Sequence, residues 1–338
     1  MTSLAALLHS SLVYCFSCDL VAMGPVISFS FCHIQKIKSL QVSHIFHPMI
    51  PLISGTIRDK AKAMADLVKP ELPLAAGICV VAGEIIGSET LPTVFVGLMG
   101  FLTGFLISGA AMISNDYFDL EVDRVNHPER PLPSGRISTR EVKILTCLFS
   151  AAGFITSALL GSLALTLTIF IWTISILYNW KYKESGLLGN IMVAFSVAWT
   201  FFFGGAIVGG LANGMIWIFG ALAFVFDLGE EIAGGAMDVE GDDKRSVRTI
   251  ARAHGKKYAL YVSSLLFVLF VVISMFPFVM GWLSSYYLGI FLPVDLVILY
   301  LAQKLLTSQT VDEGRLRIRQ LYLMVTFLVI AFAVTKVF

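Results

Sequence analysis

Residues 94–124 read VFVGLMGFLTGFLISGAAMISNDYFDLEVDR. Val94 to Ser114 contains no ionisable side chain, whereas the residues that follow hold Asp116, Asp119, Glu121, Asp123 and Arg124. An α-helix needs about 20 mostly apolar residues to cross the hydrocarbon core of a bilayer. The stretch therefore reads as a spanning helix that ends in a row of acids where it leaves the membrane. Composition agrees. Of 338 residues, 57% are hydrophobic and 14% charged, and the mean hydropathy is +0.82. A soluble domain carries charge at nearer one residue in four.

Working outward, nine apolar segments qualify as spans: about 72–90, 93–117, 142–161, 163–180, 187–211, 214–236, 258–281, 283–303 and 319–338. Open sheets cannot cross lipid, because their edge amides lack partners. The fold class expected is all-α, a polytopic nine-helix bundle. Arg124, Arg130, Arg136, Arg140 and Lys143 follow the second segment, and Lys181 and Lys183 the fourth. Lys244, Arg245, Arg248, Arg252, Lys256 and Lys257 follow the sixth, and Lys304, Arg315, Arg317 and Arg319 the eighth. The alternate loops hold essentially no Lys or Arg, which puts the basic ones in the cytoplasm. A net charge of +1 names no partner, and no nucleic acid is expected.

Residues 1–65 read as an extension, either a further helix or sequence upstream of a start near Met64. They lack the positive n-region of a secretory signal. Cys15, Cys18 and His33 fall short of the four ligands of a structural zinc site, and five scattered cysteines make no disulfide framework. The domain proper is expected over 66–338.

Asn115, Asp119 and Asp123 recur at i, i+4 and i+8, which keeps them on one helix face, with Asp116 beside them. A second cluster, DLGEEIAGGAMDVEGDDKRS, begins at Asp227. Its Asp227, Glu231, Asp238 and Asp242 are spaced 4, 7 and 4. A continuous helix would hold these within a strip about 60° wide, although Gly234-Gly235 weakens the helix there. A single acid at a membrane boundary is ordinarily a solvated helix end. Here like charges repeat at i, i+4, where they repel, and Asp227 and Glu231 interrupt an apolar run, where ionisable groups are expensive. Two carboxylate rows on one side of the membrane suit Mg²⁺, which favours carboxylates plus phosphate oxygens. The pattern points to a diphosphate held through metal at the mouth of a membrane cavity.

These residues carry a resemblance. Asn115–Asp123 is similar to the NDxxDxxxD motif of the UbiA-type intramembrane prenyltransferases, and NHPERPLPSGRIS (126–138) resembles the adjoining loop. DVEGD (238–242) resembles the second aspartate motif, YNWKYKESGLLGN (178–190) the tyrosine-lysine segment, and KPELP (69–73) the Arg-Pro lead into the first helix. The resemblance covers about 66–338. It implies a bundle around a lipid-accessible central cavity, in which two Mg²⁺ ions hold the diphosphate of a polyprenyl donor between the motifs. By position, Asn115, Asp119 and Asp123 would serve one metal, and Asp238 and Asp242 the other. Lys183, with Arg130 or Arg136, would bind diphosphate. Tyr178 would lie near the allylic cation and Asn190 would support the site; Lys69, Asp116 and Glu231 complete the substrate-binding set. The chain departs from the family at Gly234 and Gly235, where Lys or Asp is common, and at Lys69, a point charge where Arg brings a bidentate fork.

Ionising an allylic diphosphate makes a cation that must be kept from water, and aromatic faces attract cations. Trp199, Phe201, Phe202 and Phe203 are candidates, although such a run in a membrane helix is ordinarily packing. Trp172, Trp180 and Trp217 read as interfacial, and His127 and His254 as solvated. The loop most resembles that of members adding a geranylgeranyl chain, from geranylgeranyl diphosphate, to the hydroxyl of a lipid acceptor, geranylgeranylglyceryl phosphate. Members acting on aromatic or chlorophyll-type acceptors are the alternative. From another class, so is a small transporter, whose site would lie at the bilayer midplane on broken helices.

Overall fold

The computed structural model describes residues 50–238 and 249–337. The expectations for residues 1–49, for Asp242 and for Lys244, Arg245 and Arg248 lie outside the described residues. The chain separates into units Met1–Ser54 and Gly55–Phe338, and the bundle belongs to the second.

Regular structure among the described residues is helical throughout. An amphipathic α1 (Ile50–Val68) leads into α2 (Glu71–Ser88), α3 (Val94–Phe118), the short α4 (Leu120–Asn126), α5 (Thr139–Leu160) and α6 (Ser162–Leu177). Then come α7 (Leu187–Ile207), α8 (Gly214–Met237), the short α9 (Ile250–His254), α10 (Lys256–Val279), α11 (Leu288–Leu306) and α12 (Val311–Val337). Among the described residues eight helices are long and apolar enough to cross a membrane. The expectation is nine spans, one more than these eight. The difference is α8, equally long at 24 residues, whose apolar run is broken by Asp227, Glu230 and Glu231. Large apolar side chains on the outer faces confirm the solvent. Ile155, Val272 and Leu296 are 62%, 62% and 59% exposed, as lipid-facing residues are.

Successive long helices pack side by side from α2 around to α12, which returns to α2. Within this ring α2 also crosses α7. The crossing is close because both faces are glycine: a Cβ on Gly204 would lie 2.1 Å from the Val80 carbonyl oxygen, and one on Gly83 would lie 2.6 Å from that of Phe201. In lipid no hydrophobic force drives helices together, so close backbone packing of this kind carries the association. Gly204→Ala is expected to cost about 2 kcal/mol or more through overpacking, seen as a lower melting midpoint of the purified protein. Gly235→Ala, whose Cβ would meet only Thr249 at 3.8 Å, is expected to leave the midpoint in place. Equal midpoints for the two variants would contradict the crossing.

Two further features position the site. Asn213 caps α8, accepting from the Met215 amide at 3.0 Å, and its amide donates to the Ile86 carbonyl at 2.9 Å, tying α8 to α2. At the other end, a Ser138–Glu141 capping box starts α5. There Ala63 and Leu67 of α1 are buried against Ile113, Leu132, Ile137 and Val142, so the proline-rich loop between α4 and α5 folds down over the end of α3.

Candidate active site

The acids at the end of α3 stand on one unbroken ladder. The Asp119 amide donates to the Asn115 carbonyl at 2.9 Å, Asp123 to Asp119 at 2.8 Å, and His127 to Asp123 at 2.8 Å. Asn115, Asp119 and Asp123 therefore share a face, as residues four apart do. Each acid of the row meets a cation from a different part of the chain. Lys69 donates to Asp116 Oδ1 at 2.7 Å, Lys183 donates to Asp119 Oδ2, and Arg130 Nη1 donates to both oxygens of Asp123 at 2.9 and 2.7 Å. Asp116 and Asp123 are almost wholly buried, so these pairs are tight and the loop is pinned by one of them. Lys69 reaches Asp116 from a left-handed backbone, φ 51°, a conformation costing about 1–2 kcal/mol for an L side chain. That turn ends α1, and Pro70 starts α2.

Arg130→Ala would strand the buried Asp123 carboxylate, at a cost of about 3 kcal/mol. The expected result is faster proteolytic cleavage within residues 127–138; cleavage at the parent rate would contradict the pinning.

A π-helical turn, Tyr178–Tyr182, follows α6, with the Lys183 amide donating to the Tyr178 carbonyl at 2.9 Å. Such turns frequently mark functional sites. This one presents Lys183 to Asp119 and turns Asn179 into α3. The buried Asn179 amide donates to the Ala111 carbonyl and to Ser114 Oγ, each at 2.9 Å, and Asn179 Oδ1 accepts from Asn115 Nδ2 at 3.0 Å. This commits the nitrogen of Asn115 to Asn179 and leaves its oxygen as the atom offered to a ligand. Sequence reasoning missed Asn179. The available signal was a polar residue closing an apolar span, four positions before Lys183.

On α8 the glycine pair does not break the helix. It runs through Gly234-Gly235 to Met237, and the Asp238 amide donates to the Gly234 carbonyl at 3.1 Å. Asp227, Glu231 and Asp238 thus belong to one helical ladder. Asp238 pairs with Arg315 of α12 at 2.9 Å.

Between α3 and α8 lies a cavity of about 550 Å³, lined by Asn115 of the first row and by Asp227 and Glu231 of the second, with Asp119, Asp123 and Asp238 outside its wall. Its wall includes Asn115 and Tyr178 on one side, Asp227, Glu230 and Glu231 on the other, and a deep apolar part with Trp199, Phe201, Phe203, Phe219 and Phe270. Asp227 Oδ2 and Trp199 Nε1 are buried there without a hydrogen-bond partner. Of the aromatic run, Trp199, Phe201 and Phe203 line the cavity, whereas Phe202 packs on Trp217 and over Gly220. Glu230 was not singled out by the sequence, and lies in the wall all the same.

Other candidates sit elsewhere. Arg136 holds the loop together, donating to Asp66 at 3.1 Å and to the Glu129 carbonyl at 2.7 Å. Asn190 lies half-buried on the first turn of α7, outside the cavity wall. His127 is half-exposed beside Glu129, and the His254 ring lies tilted against that of Tyr258. Trp172 donates to Ser150 at 2.8 Å and joins α6 to α5. Among the described residues no three acids converge as a ready cation cage; the acids of the first row are paired with their own cations.

Comparison with known proteins extends this picture. The family model described as the UbiA prenyltransferase family matches residues 73–334. Digeranylgeranylglyceryl phosphate synthase of Thermococcus kodakarensis is 34% identical over 248 residues, which is 73% of this chain and 88% of that one. A solved structure of a digeranylgeranylglyceryl phosphate synthase superposes with a TM-score of 0.68 at 26% identity, over 82% of this chain and 99% of the other. A UbiA homolog from Archaeoglobus fulgidus, bound to GPP and Mg²⁺, shares the fold with a TM-score of 0.64 at 18% identity, over 81% of this chain and 99% of that one. With a family match over most of the bundle, the transporter alternative falls away. The carboxylate rows, the cavity between them and the matched sequence make this chain a multi-pass membrane prenyltransferase, a member of the UbiA family.

Proposed function

We propose that the chain transfers a geranylgeranyl group from geranylgeranyl diphosphate to the glycerol hydroxyl of geranylgeranylglyceryl phosphate, working from the cytoplasmic face of the cell membrane. The observation that carries the reading is the cavity itself: greasy and aromatic, walled in part by α3 and α8, the helices that bear the two carboxylate rows, with Lys183 and Arg130 paired to acids of the first row. That shape suits a substrate with a long apolar tail and an anionic head. The names of relatives support the acceptor, and the basic loops on the motif side support the cytoplasmic orientation.

Mg²⁺ fits the donors present. It takes oxygen ligands, binds through one or two carboxylates plus phosphate oxygens, and keeps waters, so it needs no cage of three acids. The free oxygen of Asn115, with Asp119 and Asp123, would hold one ion, and Asp238 and Asp242 another. Bound there, the ions supply Lewis-acid stabilisation of charge on the departing diphosphate. The protein does the rest. Lys183 and Arg130, held beside Asp119 and Asp123, would give charge-assisted hydrogen bonds to phosphate oxygens. Tyr178 and the aromatic wall exclude water and present π faces where positive charge grows on the allylic carbon. As the ether bond forms and the C–O bond to diphosphate breaks, the acceptor hydroxyl loses its proton. Glu230 and Glu231, which with Asp227 are the carboxylates of the cavity wall, would take it.

The reading is tested with purified protein, Mg²⁺ and labelled geranylgeranyl diphosphate, offered in turn geranylgeranylglyceryl phosphate, 4-hydroxybenzoate and chlorophyllide. The expected product, identified by mass, is the double ether alone. Transfer to an aromatic or chlorophyll-type acceptor in preference would reject the acceptor proposed.

A further inference from the structure

The lysines and arginine of the first motif are matched one to one by its own acids, but among the described residues Arg319 of a second pair of cations is not. Beside the main cavity is a smaller one of about 340 Å³, between the start of α2 and the motif ends of α8 and α12. Arg315 and Arg319 line it from α12, and four residues apart they share a helix face. Arg315 is steadied by Asp238 at 2.9 Å. Arg319 has no ion-pair partner among the described residues. Opposite them the floor is open, since a Cβ on Gly234 would meet no atom within 4 Å. The two cavities share Leu72, Glu230 and Tyr322 in their walls, so they are immediate neighbours.

A phosphomonoester brings close to two negative charges and three acceptor oxygens. A pair of guanidinium forks is the side-chain chemistry that matches it. We infer that this smaller, open pocket is the headgroup subsite for the acceptor: Arg315 and Arg319 bind its phosphomonoester, and the glycerol chain passes Glu230 and Tyr322 into the main cavity. The inference rests on the proposed acceptor and names the residues that would recognise it. It also separates the two anionic heads, with the donor's diphosphate between the carboxylate rows and the acceptor's phosphate on α12.

The test compares geranylgeranylglyceryl phosphate with its dephosphorylated alcohol as acceptors for the full-length protein in non-ionic detergent. For Arg319→Ala, KM for the phosphate acceptor is expected to rise roughly 10- to 100-fold, the worth of a charged hydrogen bond. KM for geranylgeranyl diphosphate should stay within about twofold, and Arg319→Lys should recover part of the loss. The parent's preference for phosphate over alcohol should shrink in step. A variant that keeps that preference, or that loses donor affinity instead, overturns the inference. So does a defect seen only in vesicles containing anionic lipid, which would make the arginines a bilayer-headgroup contact. If the parent protein uses neither glyceryl acceptor, the proposed function itself fails, a result distinct from any of these.

Discussion

Asp119→Ala is expected to lower turnover of prenyl transfer by on the order of 10³-fold, the scale seen when a preorganised charge-stabilising group is removed. Asp119 is the middle acid of the first row, and Lys183 is bonded directly to it. Removing the carboxylate takes away an oxygen donor for a cation and the anchor that holds Lys183 at the mouth. Stability should change little by comparison. The Asp119 backbone amide still bonds to Asn115, and the Lys183 side chain is 23% exposed and retains access to water. Activity and the melting midpoint measured on one preparation separate the two effects. A variant with full turnover would remove Asp119 from the mechanism.

Asn179→Leu is the second large effect, and it differs in kind. Leucine fills the same space but can neither donate to the Ala111 carbonyl and Ser114 nor accept from Asn115. Buried partners left unsatisfied cost about 1–3 kcal/mol each, so the midpoint should fall. The amide of Asn115 also loses the contact that orients it. Groups that orient a metal ligand are worth roughly 10- to 100-fold in metal affinity, and the Mg²⁺ concentration for half-maximal rate should rise by that factor. A destabilised variant with unchanged Mg²⁺ dependence would make Asn179 a packing residue only.

Much of this was legible before any coordinates. The apolar run from Val94 to Ser114 fixes a spanning helix, and the four-residue spacing of Asn115, Asp119 and Asp123 requires a shared face, which the hydrogen-bond ladder supplies. Residue type does not reveal partners far apart in sequence. Arg130 and Arg136 are equivalent in a loop sequence, yet the fold of that loop turns one to Asp123 and the other to Asp66. Lys69 and Asp116 meet across 47 positions, and Asn179 meets Asn115 across 64. α8 was hard for the opposite reason. Its acids argue against a span and its glycines against a continuous helix, while packing against α7 and α10 holds it straight enough to carry the second row.

Everything turns on whether the two rows face one ligand. The direct measurement is a crystal structure with Mn²⁺ in place of Mg²⁺ and an unreactive thio-analogue of geranylgeranyl diphosphate, read by anomalous scattering. The account predicts manganese peaks beside Asp119 and Asp123 and beside Asp238, with the diphosphate between them and the chain running in past Trp199 and Phe203. A diphosphate bound away from both rows, or peaks on neither, would contradict it.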